Sequence, residues 1–463
     1  MIVLGFGLIS FSLLQSMVGP VLPLIGDMYG SNTTTTAWVM TAYMVSASVF
    51  TPIVGRMGDR LGKRAMMVTS LIALAAGSVL AAMAWNIEIL LLARVVQGAG
   101  GGLIPLALGV IREHIEPRRV ASAYGATAAV LGLGNGLGLA LAGPLVEYVG
   151  YPSIFLGPAL ISTCAAIASV LYIPTSEVKS PNPIRVAPAL LLSLWLVTLL
   201  VPITQGAQWG WTSPATIGLL AISSVTFAAW IRQEGRATHP LIDLTMLKHR
   251  VVGTVNLTAL LFAVAVYPLF ALLPAMLQSP RNTPYGHGAT VTEVGRLLVS
   301  EAIAAFIGSL VAGRLANRTG WKALFVLGTI LGCIGYLLLG LAHSEEWHIV
   351  FAATILGLAV GLAFSAMTGL VADAVPMSKI GVAGGVTANL RTVGGAVGIA
   401  LSTSLVGSTL DVYGNPTEGA YVLVFLSLAA IAAIAAVLAS TLPRRDAMKR
   451  VALATCTTRN NLG

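Results

Sequence analysis

The sequence predicts an all-α protein that crosses a membrane many times, and two observations carry this prediction. Of its 463 residues, 56% are hydrophobic and only 9% are charged, and the mean hydropathy is +0.88. A soluble domain carries roughly 25% charged residues, so this chain cannot cover its surface with water-facing side chains. In addition, apolar runs of about 20 residues, the length that crosses a bilayer as a helix, recur along nearly the whole chain.

Fourteen apolar runs are long enough to be membrane helices. Six precede residue 175 and six follow residue 250, so two additional helices lie between two sets of six. We therefore expect an N-terminal six-helix bundle over 1–175, a linker with two extra helices over 176–250, a C-terminal six-helix bundle over 251–441 and a tail over 442–463. The runs lie near residues 3–25, 37–55, 65–84, 88–111, 121–146, 152–173, 187–207, 214–231, 251–278, 294–313, 322–342, 347–371, 382–408 and 419–441.

The first run lacks the features of a cleavable signal peptide. Residues 1–10 contain no Lys or Arg, and the run continues past Pro20 and Pro23 without a small-residue cleavage site. We expect this segment to be retained as the first membrane helix.

The basic residues fix the expected orientation. Most of the 26 Lys and Arg residues fall in alternate loops and in the tail, which the positive-inside rule places in the cytoplasm. This supports an even number of helices with both termini cytoplasmic, in the membrane of a cell that the excess of Arg over Lys suggests is bacterial. The net charge of +9 is explained in the same way, so no nucleic-acid partner is expected. The three cysteines are widely separated, and neither a metal site nor a cofactor is expected.

One motif occurs once in each half, between the second and third runs and again between the tenth and eleventh. The first copy is Gly-Arg-Met-Gly-Asp-Arg-Leu-Gly-Lys-Arg over 55–64, and the second is Gly-Arg-Leu-Ala-Asn-Arg-Thr-Gly-Trp-Lys over 313–322. A charged, glycine-bearing turn that is repeated in this way indicates two similar helical bundles, which in membrane proteins usually rock against each other. The residues of this conformational loop motif are Gly55, Asp59, Arg60, Gly62, Arg64, Gly313, Arg314 and Gly320.

Each type of residue in the motif has a physical role in a short cytoplasmic loop. Glycines allow a tight turn and close helix approach. Asp59 can cap the next helix or accept hydrogen bonds from a neighbouring one, whereas Asn317 stands at its place in the second copy. A charge-based latch is therefore expected to be stronger in the first half. The alternative is that the basic residues only anchor the topology.

The motif resembles the loop signature of the major facilitator superfamily. Residues 94–102, Arg-Val-Val-Gln-Gly-Ala-Gly-Gly-Gly, are similar to the second drug-transporter motif of that superfamily. Residues 38–43, Trp-Val-Met-Thr-Ala-Tyr, and 389–396, Asn-Leu-Arg-Thr-Val-Gly-Gly-Ala, resemble the fourteen-helix drug:proton antiporter branch. The likeness covers essentially the whole chain.

This resemblance implies the major facilitator fold and a secondary transporter that works by alternating access in the lipid bilayer. It implies a transporter rather than an enzyme, with protons and a small-molecule substrate as its partners. The expected function is proton-driven efflux of amphipathic or cationic compounds such as drugs and natural products, by a protein that is functional as a monomer.

Two arginines lie inside predicted helices, where a charge costs about 2.5–3.5 kcal/mol unless it faces the bundle interior or water. Arg94 and Arg391 can either tune a proton-carrying carboxylate or contact substrate, or they can be structural hubs that bind carbonyl groups of adjacent helices. Gln97, one turn after Arg94, can line a cavity or hydrogen-bond a neighbouring helix.

Small residues in the fifth run predict close helix packing. Gly134, Gly138 and Ala142 recur at four-residue spacing and make a flat face on which another helix can lie. Gly143 and Pro144 follow this face. The stretch resembles the antiporter motif, which places Pro directly after the glycine that matches Gly138. Leu139 occupies that place here, which weakens the inference of export from this motif.

Glu301 is the acid that lies well inside a predicted helix, about seven residues, or roughly 10 Å, into the tenth run. A carboxyl group in a low dielectric favours its protonated form, so it can load and release a proton near neutral pH. The alternative is an acid that is permanently paired with Arg391 or another helix. The antiporter branch often carries an acid on the first helix, but Leu14 stands at that place in this sequence. Glu301 is therefore the stronger candidate for the proton-coupling residue.

Other functions fit the sequence less well. An uptake or metabolite carrier of the same fold remains an alternative to an exporter. A polytopic membrane enzyme would need a recognisable catalytic motif, and the sequence contains neither a metal-protease pair on a helix nor a phosphate-binding loop. A channel fits poorly because a doubled bundle indicates alternating access.

Overall fold

The computed structural model describes residues 1–175, 186–237, 240, 250–375, 380–411 and 415–443. The predicted linker segments 176–185 and 241–249 and tail residues 444–463 lie outside the described residues. The helices of the described part are α1 Ile2–Ser16, α2 Leu22–Tyr29, α3 Thr33–Leu61, α4 Lys63–Ala82, α5 Ile87–Gln97, α6 Leu103–His114, α7 Pro117–Tyr148, α8 Ser153–Tyr172, α9 Val186–Trp209, α10 Pro214–Gly235, α11 Arg250–Val266, α12 Leu269–Gln278, α13 Val291–Thr319, α14 Trp321–Leu341, α15 Glu346–Ala374, α16 Ile380–Val406 and α17 Glu418–Ser440.

The predicted all-α, multi-span architecture is confirmed. Within the described residues, thirteen helices or pairs of consecutive helices are long and apolar enough to cross a membrane. Each of them coincides with a predicted run. The remaining predicted run, 382–408, is the 27-residue helix α16. It is not among the thirteen because Asn389, Arg391 and several glycines lower its mean apolarity.

Three of the spans are interrupted by breaks in the helix. The first breaks at a 3-10 turn over Gly19–Val21, because Pro20 and Pro23 lack the amide hydrogen that would continue the ladder. The fourth passes through a 3-10 turn over Gly98–Gly102 between α5 and α6. The ninth breaks before Pro268, between α11 and α12. Such breaks occur in membrane proteins where the backbone is buried in protein and not exposed to lipid.

Side chains cap several helices at their N-terminal ends. Asn32 and Asn86 accept hydrogen bonds from the backbone N–H groups of Thr35 and Ile89, at 2.8 and 2.9 Å. Thr290 and Glu293 form a reciprocal capping box at the start of α13. Each cap satisfies N–H groups that have no partner within the helix.

The helices pack into two groups that meet along two seams. In the first group α4 packs on α8, and α1 packs on α7 and α8; in the second α13 and α14 pack on α15, and α11 packs on α16 and α17. One seam joins α7 to α13 and the other joins α3 to α16. The two additional helices form a hairpin: α9 lies against both α3 and α16, and α10 packs mainly on α9. Large apolar side chains such as Leu160 and Val437 remain exposed on the outside, where lipid would cover them.

Candidate functional site

The repeated motif forms helix, and not the loop that the sequence suggested. Residues 55–61 are the last turns of α3, and Gly62 is the one residue between α3 and α4. Residues 313–319 likewise end α13, and Gly320 is the one residue between α13 and α14. Gly62 and Gly320 have φ values of 104° and 79°, a backbone region that favours glycine. Because one glycine completes each turn, the residues on either side of it stay helical.

The first copy of the motif carries an ion-pair network. Lys63 Nζ lies 3.3 Å from the carboxylate of Asp59 and 2.5 Å from that of Glu113, at the end of α6. The Lys63 side chain passes directly over Gly109 of the same helix. Arg60 is exposed and Arg64 half-buried. The network therefore joins α3, α4 and α6.

Other basic residues of the two copies contact backbone carbonyl groups. Arg56 donates to the carbonyl of Pro240, which lies between the hairpin and α11. Lys322 donates to the carbonyl of Leu442, just beyond α17. In the second copy Arg314 and Asn317 are exposed. The two copies therefore share a backbone turn but differ in their side-chain contacts.

Arg94 is completely buried and holds three helices together. Its Nε donates to the carbonyl of Val39 on α3 (2.8 Å), and its Nη1 donates to the Oε1 of Gln97 (2.6 Å). The Gln97 amide donates in turn to the Oγ of Ser78 on α4 (3.1 Å). The guanidinium also lies 4.3 Å from the centre of the Tyr43 ring, a cation–π contact. These contacts make Arg94 a structural hub. The Nη2 atom of Arg94 has no hydrogen-bond partner among the described residues.

Glu301 lies near the middle of α13 and is only 3% exposed. Within the part of the chain that the structure describes, its carboxyl group has no hydrogen-bond or ion-pair partner. Its backbone carbonyl lies against Gly357 of α15, and Tyr336 of α14 is close enough to interact with it electrostatically. The next residue, Ala302, lies at the α7 seam, since a Cβ added at Gly136 would be 2.5 Å from the Ala302 Cβ. Glu301 is therefore one residue from a contact between the two groups of helices.

The suggested pair between Glu301 and Arg391 is wrong. The Arg391 guanidinium lies 4.1 Å from the centre of the Phe364 ring on α15. Glu301 is level with Gly357 on that helix, seven residues or about 10 Å away along its axis. The two residues thus contact positions of α15 that are about two helical turns apart.

The glycines of α7 lie on two different faces. Gly134 and Gly138 pack against Ser12 and Ser16 of α1, and Ala142 is fully buried. Gly143 packs against the backbone of Thr292 at the start of α13, one residue before the internal Pro144. The predicted flat face thus lies on α1, and a second small-residue face lies on α13.

Sequence reasoning missed Asn256 of α11, which is 1% exposed and has no hydrogen-bond partner for either side-chain atom among the described residues. A single Asn in an apolar run carries no distinctive signal, because such residues usually join neighbouring helices. Asn389 does so here, donating to the carbonyl of Ser48 across the α3–α16 seam. Within the described ranges, no group of three His, Cys, Asp or Glu side chains is placed to hold a metal ion.

Several bacterial transporters and resistance proteins are similar in sequence. The multidrug transporter protein MdtP of Bacillus subtilis is 26% identical over 391 residues, covering 83% of this chain and 71% of that protein. A probable actinorhodin transporter of Streptomyces coelicolor is 28% identical, covering 83% and 68%. The lincomycin resistance protein of Streptomyces lincolnensis is 30% identical over 443 residues, covering 94% and 89%.

The fold is also that of a solved transporter. The crystal structure of the human organic anion transporter MFSD10 (TETRAN) matches with a TM-score of 0.66 and 15% sequence identity, covering 95% of this chain and 98% of that one. The sequence model of the Major Facilitator Superfamily matches residues 4–398 and, in a second overlapping match, residues 255–455. The chain therefore belongs to the Major Facilitator Superfamily and is a multi-pass membrane transporter.

Proposed function

We propose that this transporter exports amphipathic small molecules in exchange for protons. The names of the relatives, which include a multidrug transporter and a lincomycin resistance protein, support export. The observation that carries proton exchange is Glu301, a buried carboxyl group without a hydrogen-bond or ion-pair partner among the described residues.

The surroundings of Glu301 suit a proton carrier. Ionising a buried carboxyl group that has no cationic partner costs desolvation energy. When movement of the helices exposes the carboxyl group to water, hydration lowers that cost and the proton can leave. Because the next residue lies at the α7–α13 seam, movement of the two groups of helices changes the exposure of Glu301 directly.

Contacts at both ends of the molecule support alternating access. At the outer end, Gly143 of α7 lies against Thr292, and Gln278 donates a 2.7 Å hydrogen bond to the carbonyl of Pro20. Towards the inner end, Gly385 of α16 lies close to Pro105 of α6. Opening a central cavity to either side requires one of these sets of contacts to separate.

We further propose the arrangement that the sequence predicts: bundles over 1–175 and 251–441, a linker with two helices over 176–250, and both termini in the cytoplasm. The positive-inside distribution supports this orientation. One chain supplies both bundles around the cavity, so a monomer is sufficient for transport. In this arrangement the hairpin of α9 and α10 lies outside the α3–α16 seam and shields it from lipid.

The test is efflux of Nile red, an uncharged apolar dye, from energised cells that express the protein, measured with and without a protonophore. We expect efflux that the protonophore stops, and we expect Glu301→Gln to abolish it while the protein remains in the membrane. Glu88→Gln is the matched control, because Glu88 is an exposed acid at the outer end of α5.

Two results would contradict the proposal. Efflux that continues unchanged in Glu301→Gln would remove this residue from proton coupling. Accumulation of dye in place of efflux would favour the uptake carrier.

A further inference from the structure

The second group of helices contains buried hydrogen-bond donors that have no acceptor among the described residues. Arg391 Nε is buried without a partner, and so are both side-chain atoms of Asn256. Leaving a buried polar group without a hydrogen bond destabilises a fold, and apolar residues at the same positions would avoid this. Such groups are therefore expected where a ligand supplies the missing partner.

The register between α11 and α16 places Asn256 and Arg391 at nearly the same height on neighbouring helices. A Cβ added at Gly394 would lie 2.5 Å from the carbonyl oxygen of Leu260, and Gly398 packs in the same way on Val264. The two helices are therefore parallel, with matching turns. One turn closer to their N-terminal ends, Asn256 is level with Leu390, the neighbour of Arg391.

Two aromatic rings lie near the Arg391 guanidinium. The Arg391 guanidinium lies over the ring of Phe364, and the Phe262 ring of α11 meets Phe364 edge to face at 6.0 Å. A charged planar donor, an amide and two aromatic rings thus lie on α11, α15 and α16 within about two helical turns of one another. The combination suits a ligand with an acceptor group on an apolar body.

The charges of the membrane interior determine which acceptor group is favoured. Arg94 and Arg391 are the cations that lie well inside described spans, and Glu301 is the corresponding acid. Because the two cations outnumber the one acid, these groups leave the interior positive whether Glu301 is protonated or ionised. This field disfavours the cationic substrates that the sequence resemblance suggested and favours an anion.

We propose that Arg391, Asn256 and Phe364 form a substrate subsite that binds an anionic group, such as a carboxylate, phenolate or sulfonate, attached to an apolar aromatic body. This proposal rests on the transport function proposed above and narrows its substrate class. Arg391 supplies the charge-assisted hydrogen bond, Asn256 supplies a second donor, and Phe364 holds the guanidinium plane in place.

Binding of two dyes that share a xanthene core tests the proposal. Carboxyfluorescein, which is anionic, and rhodamine 123, which is cationic, are titrated onto the detergent-solubilised full chain, and binding is followed by fluorescence anisotropy. We expect carboxyfluorescein to bind at least about tenfold more tightly. Arg391→Gln should weaken carboxyfluorescein binding by about tenfold or more, and Asn256→Leu by at least about threefold, while rhodamine 123 binding changes by less than about twofold.

Equal affinities for the two dyes, or carboxyfluorescein binding that is unchanged in Arg391→Gln, would overturn the subsite. Binding is measured without a proton gradient, so its outcome is separate from the efflux experiment. If efflux is absent but the chain still prefers the anionic dye, only the exporter proposal is contradicted. If efflux is present but the chain does not prefer the anionic dye, only the subsite is contradicted.

Thermal unfolding separates a ligand-binding amide from a structural one. Asn256→Leu removes two polar atoms that have no partner, so the melting temperature should stay the same or rise. Asn389→Leu is the matched control, because it removes the hydrogen bond to Ser48 across the seam and should lower the melting temperature. An equal decrease in both variants would show that the Asn256 amide is structural and would overturn its role in the subsite.

Discussion

Gly62 and Gly320 are equivalent residues in the two halves of the chain, each the one non-helical residue between two long helices and each with a positive φ. Their ψ values, 133° and 155°, also agree. Other residue types adopt this backbone region only with strain, so the turn requires glycine at both positions. The shared feature of the two motif copies is thus a one-residue turn. It fixes the direction of α4 relative to α3, and of α14 relative to α13.

We expect Gly62→Ala and Gly320→Ala each to lower stability by about 1–3 kcal/mol because of backbone strain. Gly313→Ala is the matched control: Gly313 is helical, and a Cβ there would have no atom within 4 Å. Since alanine favours helix, that variant should be neutral or slightly stabilising. Thermal unfolding of the purified variants measures the difference, and three equal melting temperatures would exclude strain at the two turns.

The sequence is sufficient to predict the spans, because the length of an apolar run directly reflects the thickness of the bilayer. It also places Glu301 and Arg391 inside helices. It does not predict their separation, since the relative height of two charges depends on how α13, α15 and α16 pack. The motif was expected to be a loop because its glycines and charges are typical of turns, whereas the structure needs only one positive-φ glycine in each copy.

Arg94→Lys should lower stability by about 1–3 kcal/mol. A lysine can reach either the Val39 carbonyl or Gln97 but cannot bridge both while stacking on Tyr43, so one buried acceptor loses its partner. Thermal unfolding and efflux are measured on the same variant. Normal stability together with lost efflux would contradict the structural-hub interpretation and favour a direct role in transport.

Asp59→Asn should change stability by less than about 1 kcal/mol, because Asp59 is 42% exposed and exposed ion pairs contribute little. Lys63 retains Glu113 as a partner in that variant. If Asp59 acts as a conformational latch, labelling of cysteine probes on the cytoplasmic side should nevertheless change. Asn317→Asp, the reverse change in the second copy, is the matched variant. An unaltered labelling pattern in Asp59→Asn would indicate that the charges only anchor the topology.

Gly143→Ala should separate α7 from α13 at the outer end of the molecule. A Cβ at this position would overlap with the backbone of Thr292, which cannot rotate away as a flexible side chain can. The helices must therefore move apart, which favours the state that is open to the outside.

Gly132→Ala, on the same helix, is the matched control, because the nearest atom to its Cβ would be the Ser309 Oγ at 3.9 Å. We expect faster labelling of a cysteine introduced at the outer end of this seam in Gly143→Ala and no change in Gly132→Ala. Equal labelling rates in the two variants would mean that the outer seam does not limit access to the cavity.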